Sequence, residues 1–367
     1  MQILFTRFPL ESAHGGAEVQ TLSLMEGLAA RGHAVAFLGS CPVLLSLCRE
    51  RGIPCVERHI GPPPVTKWGV LSFAWRRRRM QENVQTAFDA FQHLDAVVML
   101  SLSEKLLLTA HASSTGKKVV WLEHDRVGRW LRSNPWLAEL RNLSALATTV
   151  TVSGLSREIY LEMGWAPERV VSIPNGIDLD RFAQVDIHSS LSTDHSSLRI
   201  GCVARLSADK GVDVLIDAVT DVPQADLTIV GSGREEGFLK KLIEERGIPN
   251  RARILPRVED LGAFYAGLDV LVLPSREHDP FGLVAAEAMA LGIPVIVTDA
   301  CGIARHVEVD REALVVPAED APALADALRM MINAQTRQTL GEAGKRAAEE
   351  RFSLKTMVDA YERLLTA

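Results

Sequence analysis

The chain has 367 residues and a mass of 40.1 kDa, room for two domains at roughly 150 residues each, with cores large enough to need no disulfide or metal staple. Apolar residues at 47% and charged residues at 23% exclude disorder as a description of the whole chain. A mean hydropathy of +0.09, with no run of about eighteen apolar residues, argues against a membrane span. The net charge of -6, from 46 acids against 40 bases, argues against a general nucleic-acid binder.

Met1–Leu10 lacks a charged n-region, an apolar h-region and a small-residue cleavage site, so it is expected to be a first strand and not a signal peptide. Short runs rich in Val, Ile and Leu predict further strands at 34–38, 54–57, 96–100, 118–122, 149–152 and 170–173. Most are continuously apolar, the pattern of a parallel sheet covered on both faces. Amphipathic stretches between them predict helices at 17–31, 68–91, 104–112, 135–146 and 156–163. The second half repeats the alternation, with strands at 198–204, 227–230, 253–255, 270–273, 295–298 and 314–316. Its helices are expected at 212–220, 235–246, 260–266, 283–291, 321–333 and 335–351. The reading is two doubly wound α/β domains: 1–178, a linker at 179–198, and 199–350. A one-faced helix at 351–367 is expected to pack back toward the first domain. Five cysteines with no CxxC spacing read as free thiols.

Glycine-bearing junctions between strands and helices carry the candidate chemistry. Gly15-Gly16-Ala17-Glu18 opens a helix after the first strand and suits close approach by an anionic or hydroxyl-rich ligand, or is simply a flexible loop. It is not a GxGxxG, so a dinucleotide-binding dehydrogenase gains little support. His124 ends a strand, where it could bond a sugar hydroxyl or move a proton, or be an ordinary loop histidine. Arg205 and Lys210 lie in the loop after a strand. Two cations there can hold a diphosphate, Arg through its planar fork and Lys as a point charge, and can neutralise a leaving phosphate; the alternative is a solvated Lys–Asp loop. Gly231-Ser232-Gly233 forms a second such junction, also common as a tight turn. The stretch 274–290 carries Asp279 in a loop, Phe281-Gly282 at a helix start, and Glu287 about one turn further along. The two acids could accept from sugar or ribose hydroxyls, or serve as a capping acid and a structural ion pair. Arg76 to Arg79 follow Trp68, Leu71, Phe73 and Trp75, a basic-aromatic helix suited to an anionic membrane surface or acceptor, or to plain solvation. Asp178-Leu179-Asp180 spells DxD, read here as part of a connection and not as a metal site.

In order along the chain, Gly15–Glu18, His124, Ile173–Phe182, Arg205 to Gly211, Gly231–Gly233 and Asp279–Gly292 resemble the retaining glycosyltransferase family 4, the glycogen-synthase-like group 1 transferases. The resemblance implies the GT-B fold, two Rossmann-like doubly wound parallel-sheet domains facing across a cleft. It implies that the second domain holds a nucleotide-diphospho-sugar. Arg205 and Lys210 would grip the diphosphate, Glu287 the ribose, and Asp279 with the Phe281-Gly282 amides the sugar. Gly16, Gly231, Gly233, Arg257 and Leu283 would complete the donor site, and His124 would contact the donor sugar. Gly15, Gly16, Arg76 and Arg77 would receive the acceptor. The family's first signature glutamate falls here on Asp279, a carboxylate on a shorter arm.

The implied activity is retaining, metal-independent transfer without a cofactor. The donor would be a UDP-sugar in preference to a GDP-sugar, and the acceptor a cell-surface glycan such as lipopolysaccharide or a lipid-linked glycan. The implied location is cytoplasmic, with peripheral contact to the anionic inner face of the cytoplasmic membrane and no nucleic-acid partner. An epimerase or phosphorylase on the same fold, and a non-catalytic glycosyltransferase-like subunit, are the alternatives.

Overall fold

A computed structural model describes residues 1–9, 15–125, 129–182 and 197–367. They form two compact units, Met1–Pro174 with Met357–Ala367, and Asn175–Thr356. Most of the expected linker lies outside the described residues.

The first unit is built on β1 (Gln2–Arg7), β2 (Ala34–Gly39), β3 (Cys55–Glu57), β4 (Ala96–Met99), β5 (Lys118–Glu123), β6 (Thr148–Thr151) and β7 (Val170–Ser172). All pair in parallel, in the order β3-β2-β1-β4-β5-β6-β7. The continuous apolar runs explain this. Leu4, Phe5, Val97, Val98 and Val120 are fully buried, which requires helices on both faces and so crossover connections. Between β1 and β4 the chain order reverses, and ligands of open α/β sheets bind beyond the strand ends at such a point. A helix at Pro42–Glu50 was not among the expected elements. Its leading proline resembles a turn signal, yet proline fits the first helical position, where its missing N–H costs nothing. Leu44, Leu45 and Cys48 then turn inward. The C-terminal segment joins this unit through Met357, Val358, Tyr361 and Leu365, all buried. Gly27 leaves the space that Val358 fills, and Arg31 pairs with Asp359 and Glu362.

The second unit is built on β8 (Leu198–Val203), β9 (Ala225–Val230), β10 (Ala252–Leu255), β11 (Val270–Leu273), β12 (Val295–Thr298) and β13 (Leu314–Val316). These are again parallel, in the order β10-β9-β8-β11-β12-β13, with the reversal between β8 and β11. The first unit ends at Pro174 and not at 178, because the next residues pair within the second. Ile177 N–H donates to Phe352 at 2.7 Å and its carbonyl accepts from Leu354 at 2.9 Å.

Candidate active site

The reversal between β8 and β11 gathers three loops. The loop after β8 carries Arg205 and a short 3-10 turn, Ala208–Lys210. The loop after β9 carries Gly231 and Gly233. The loop after β11 runs from Pro274 to Gly282, where the helix Leu283–Ala290 begins. These loops meet backbone to backbone. A Cβ at Gly211 (φ +61) would overlap the Pro274 carbonyl oxygen, and a Cβ at Gly231 would overlap that of Ala204. Glycine is therefore a packing requirement at both positions. The amides of Arg276 and Glu277 both donate to the Asp209 carbonyl, at 2.9 and 3.2 Å. Arg276 adds Ala208 O and Asp213 Oδ2, each at 2.6 Å, and Glu319 Oε1 at 2.7 Å.

This stitching brings Lys210 and Asp279 together. Lys210 Nζ donates to Asp279 Oδ2 at 2.6 Å, and the Ser275 hydroxyl donates to the same oxygen at 3.2 Å. Asp279 is 8% exposed, so that ammonium and hydroxyl take the place of water as donors to its buried oxygen. The Arg205 side chain is 70% exposed and lies 3.7 Å from Asp209, a weak pairing that leaves its fork available to a ligand. Arg257, just beyond β10, is also exposed.

Glu287 sits on the helix Leu283–Ala290 and accepts from the Tyr265 hydroxyl at 2.8 Å. Arg181 lies 3.9 Å from its other oxygen. Burial pushes the Glu287 carboxyl above its ordinary range, while Tyr265 and Arg181 hold it back. The helix starts from Gly282 in a left-handed conformation (φ +96). Ala285 N–H already donates to the Gly282 carbonyl at 3.0 Å, while the amides of Leu283 and Val284 precede the helical hydrogen-bond pattern and suit an anion. The Phe281 side chain is 2% exposed and packs edge-on to Phe352, with ring centroids 5.6 Å apart. Phe281 thus anchors the helix start, leaving only its backbone for a ligand. Leu283 is half-buried.

In the first unit, Gly15 is the extended N-cap and Gly16 the first residue of the helix Gly16–Ala30. Glu18 in that first turn pairs with the buried Arg7 at 2.8 Å. His124 follows β5, half-buried, beside Asp125, whose carboxylate lies 3.8 Å from Arg7. Arg76 and Arg77, expected to receive an acceptor, are engaged within the unit. Arg76 donates to Ser72 Oγ at 3.0 Å and to Pro62 O at 3.3 Å. Arg77 donates to Glu139 at 2.8 Å and covers the Trp136 ring at 5.4 Å. Asp178 caps its own turn, accepting from Asp180 N–H at 3.1 Å. Among the described residues no group of three or more His, Cys, Asp or Glu side chains is gathered around a common point.

Tyr265, Ser275, Arg276 and Arg181 belong to the site but escaped the sequence reading. Arg276 stands in the most informative stretch, three residues before Asp279, yet nothing in spacing distinguishes a cation facing a ligand from one tying two loops. Tyr265 lies on another helix, and only folding brings it to Glu287.

The model for glycosyl transferases group 1 matches residues 184–347, and that for glycosyltransferase family 4 matches residues 14–181. The lipopolysaccharide core biosynthesis glycosyltransferase LpsE of Rhizobium meliloti is 31% identical over 208 residues, covering 56% of this chain and 60% of that protein. The D-inositol 3-phosphate glycosyltransferase of Xylanimonas cellulosilytica is 32% identical over 214 residues, covering 53% and 51%. The chain thus spans somewhat more than half the length of these curated relatives. The crystal structure of Anabaena HepE in complex with UDP superposes with a TM-score of 0.83 over the whole of both chains at 22% identity. WaaG, a glycosyltransferase involved in lipopolysaccharide biosynthesis, does so with 0.68 at 18%. With one family model on each sheet-bearing half and neighbours sharing both sheets, the chain belongs to glycosyltransferase family 4 and has the GT-B fold.

Proposed function

We propose that this chain is a retaining glycosyltransferase that moves a sugar from a UDP-sugar to a lipid-linked or lipopolysaccharide-type glycan at a membrane surface. The observation that carries the reading is the convergence of Arg205, the Lys210–Asp279 pair and the first-turn amides of the helix Leu283–Ala290 on one sheet reversal. Such a cradle suits a diphosphate whose negative charge grows as it leaves. Glu287, held by Tyr265, offers an acceptor to ribose hydroxyls, and Asp279 offers one to the sugar.

In the proposed reaction the acceptor hydroxyl attacks C1 from the face the diphosphate departs. The C1–O bond to phosphate breaks as the new C1–O bond forms. A phosphate oxygen takes the acceptor proton, so no protein nucleophile is needed. Arg205 and Lys210 with the helix amides neutralise the leaving group, a role that makes the proposed reaction metal-independent. The UDP preference draws on the UDP complex of HepE, and the acceptor class on the names of LpsE and WaaG. A second reading, D-inositol 3-phosphate as acceptor, draws on the Xylanimonas relative.

A thermal-shift screen of UDP, GDP, ADP and their sugars comes first, since a ligand of the native state raises its stability by mass action. Transfer from the stabilising donor is then measured on glycolipid core acceptors and on inositol 3-phosphate, with chelator present and absent. Product with the donor's anomeric configuration is expected on a core acceptor. Epimerisation without acceptor, phosphate-dependent cleavage, or binding without any turnover would each defeat the proposal in favour of the corresponding alternative.

A further inference from the structure

The helix Lys67–Asp89 buries Gly69, Phe73, Met80, Val84 and Phe88. On its outer side Trp68 is 82% exposed, Leu71 64% and Trp75 90%. Their spacing of three and four residues sets them in a single stripe. Two tryptophans in water on one face are unusual, since large apolar side chains gathered outside mark an interaction site. The helix is tied to the unit at its start and along its inner face. Thr66 caps the helix at Gly69 N–H, at 3.0 Å, and Phe73 packs edge-on to Trp136, with centroids 5.0 Å apart.

The arginine run divides around this stripe. Arg76 and Arg77 turn to internal partners, as described above. Arg78 and Arg79 face solvent, the Arg78 side chain at 92%, where it meets the exposed Glu82 one turn on, at 3.1 Å, a surface pair that holds little against a competing anion; Lys67 is exposed at the other end. No acid occurs between Lys67 and Arg79. In a chain of net charge -6 this is a local reversal of sign, so an anionic surface would attract this face in particular.

We propose that Trp68, Leu71 and Trp75, flanked by Lys67, Arg78 and Arg79, dock the first unit on an anionic lipid bilayer. The indoles would sit at headgroup level, apolar body inward and Nε1–H toward the headgroups, while the cations meet lipid phosphates. A second copy of the chain fits the stripe poorly. Three such side chains offer at most roughly 600 Å², short of about 800 Å² per partner in a stable interface. Antiparallel self-pairing would also lay Lys67 against Arg78 and Arg79. The inference supplies a surface for the lipid-linked acceptor reading, but it rests on the helix itself and not on turnover.

The test is co-sedimentation with vesicles of phosphatidylcholine alone and of phosphatidylcholine with phosphatidylglycerol. The unmodified chain is expected to pellet with the anionic vesicles, less so at high salt, with a blue shift of tryptophan emission. Trp68→Ala/Trp75→Ala and Arg78→Glu/Arg79→Glu should each weaken binding by about tenfold or more, from loss of inserted apolar surface or of two surface charges. Both change exposed side chains, and an unaltered melting temperature is checked first. No binding of the unmodified chain to anionic vesicles, or undiminished binding in both variants, overturns the proposal. So does a concentration-dependent dimer abolished by Trp68→Ala/Trp75→Ala in a chain that ignores vesicles. Vesicle binding requires no sugar nucleotide, so a chain inactive with every donor would defeat the transfer reading and leave this result standing.

Discussion

Lys210 stands between two anions: the Asp279 carboxylate it already holds at 2.6 Å and the diphosphate proposed to arrive. Removing it acts on both. Lys210→Ala should lower turnover by about 10²–10³-fold, as loss of a charge-stabilising donor does. It should also cost about 1.5–3 kcal/mol of stability, because a largely buried carboxylate loses a charged hydrogen bond. Adding Asp279→Asn should return much of the stability and none of the turnover. Steady-state kinetics and urea unfolding of the single and double variants separate the two effects, and full turnover in Lys210→Ala would remove the residue from the mechanism. Glu287→Gln keeps an acceptor for Tyr265 but loses the charge. UDP binding measured by calorimetry should weaken roughly 10-fold or more, the scale of one charged hydrogen bond.

Glycines decide how closely the elements approach. At Gly211 a side chain would need both a left-handed backbone and the space held by the Pro274 carbonyl. Gly211→Ala should therefore spread the loops after β8 and β11, destabilise by more than about 1 kcal/mol and reduce transfer. Gly237 is the contrasting case. It lies inside the helix Glu236–Glu245, where an added Cβ would meet nothing within 4 Å. Gly237→Ala should stabilise by about 0.5–1 kcal/mol and leave transfer unchanged. Denaturant unfolding of the two variants in parallel checks the pair, and equal effects would refute the packing argument for Gly211. The same distinction between faces divides the helix Lys67–Asp89, where adjacent arginines have opposite surroundings.

At the scale of the molecule, each unit carries a buried titrating group of opposite sense. Glu104 closes a capping box under the β4 end, accepting from Ser101 N–H at 2.6 Å, and burial raises its pKa from 4.5 to about 7. The folded form then holds a proton that the unfolded form releases, so the first unit should lose stability as pH rises from about 4.5 to 7. His306 packs against Phe281 and Phe352, and burial followed by Arg351 lowers its pKa from 6.5 to about 4. Here the unfolded form binds the extra proton, and the second unit should lose stability as pH falls from about 6.5 toward 4. Calorimetric scans across that range should show the two dependences running in opposite directions. Glu104→Gln should flatten the first and His306→Phe the second; a slope unchanged in either variant would refute that assignment.

The amino-acid sequence by itself determined the strands and their order, and most of the helices between them. All thirteen strands among the described residues form at their predicted positions; an inner parallel strand must be apolar on both faces and that requirement is local, while the exposed β3 lies at a sheet edge. It also placed Arg205, Lys210 and Asp279 in the loops after strands and Glu287 on the helix that follows, since strand–loop–helix junctions are written in consecutive residues. Which charges would meet was decided only by the tertiary structure. Lys210 finds Asp279, Glu287 finds Tyr265, and Arg276 ties two loops, across separations that no periodicity encodes. The run Arg76 to Arg79 reads as one basic cluster in sequence. A helix turns about 100° per residue, so folding sends two of its guanidinium groups to internal partners and leaves two in solvent beside the exposed tryptophans.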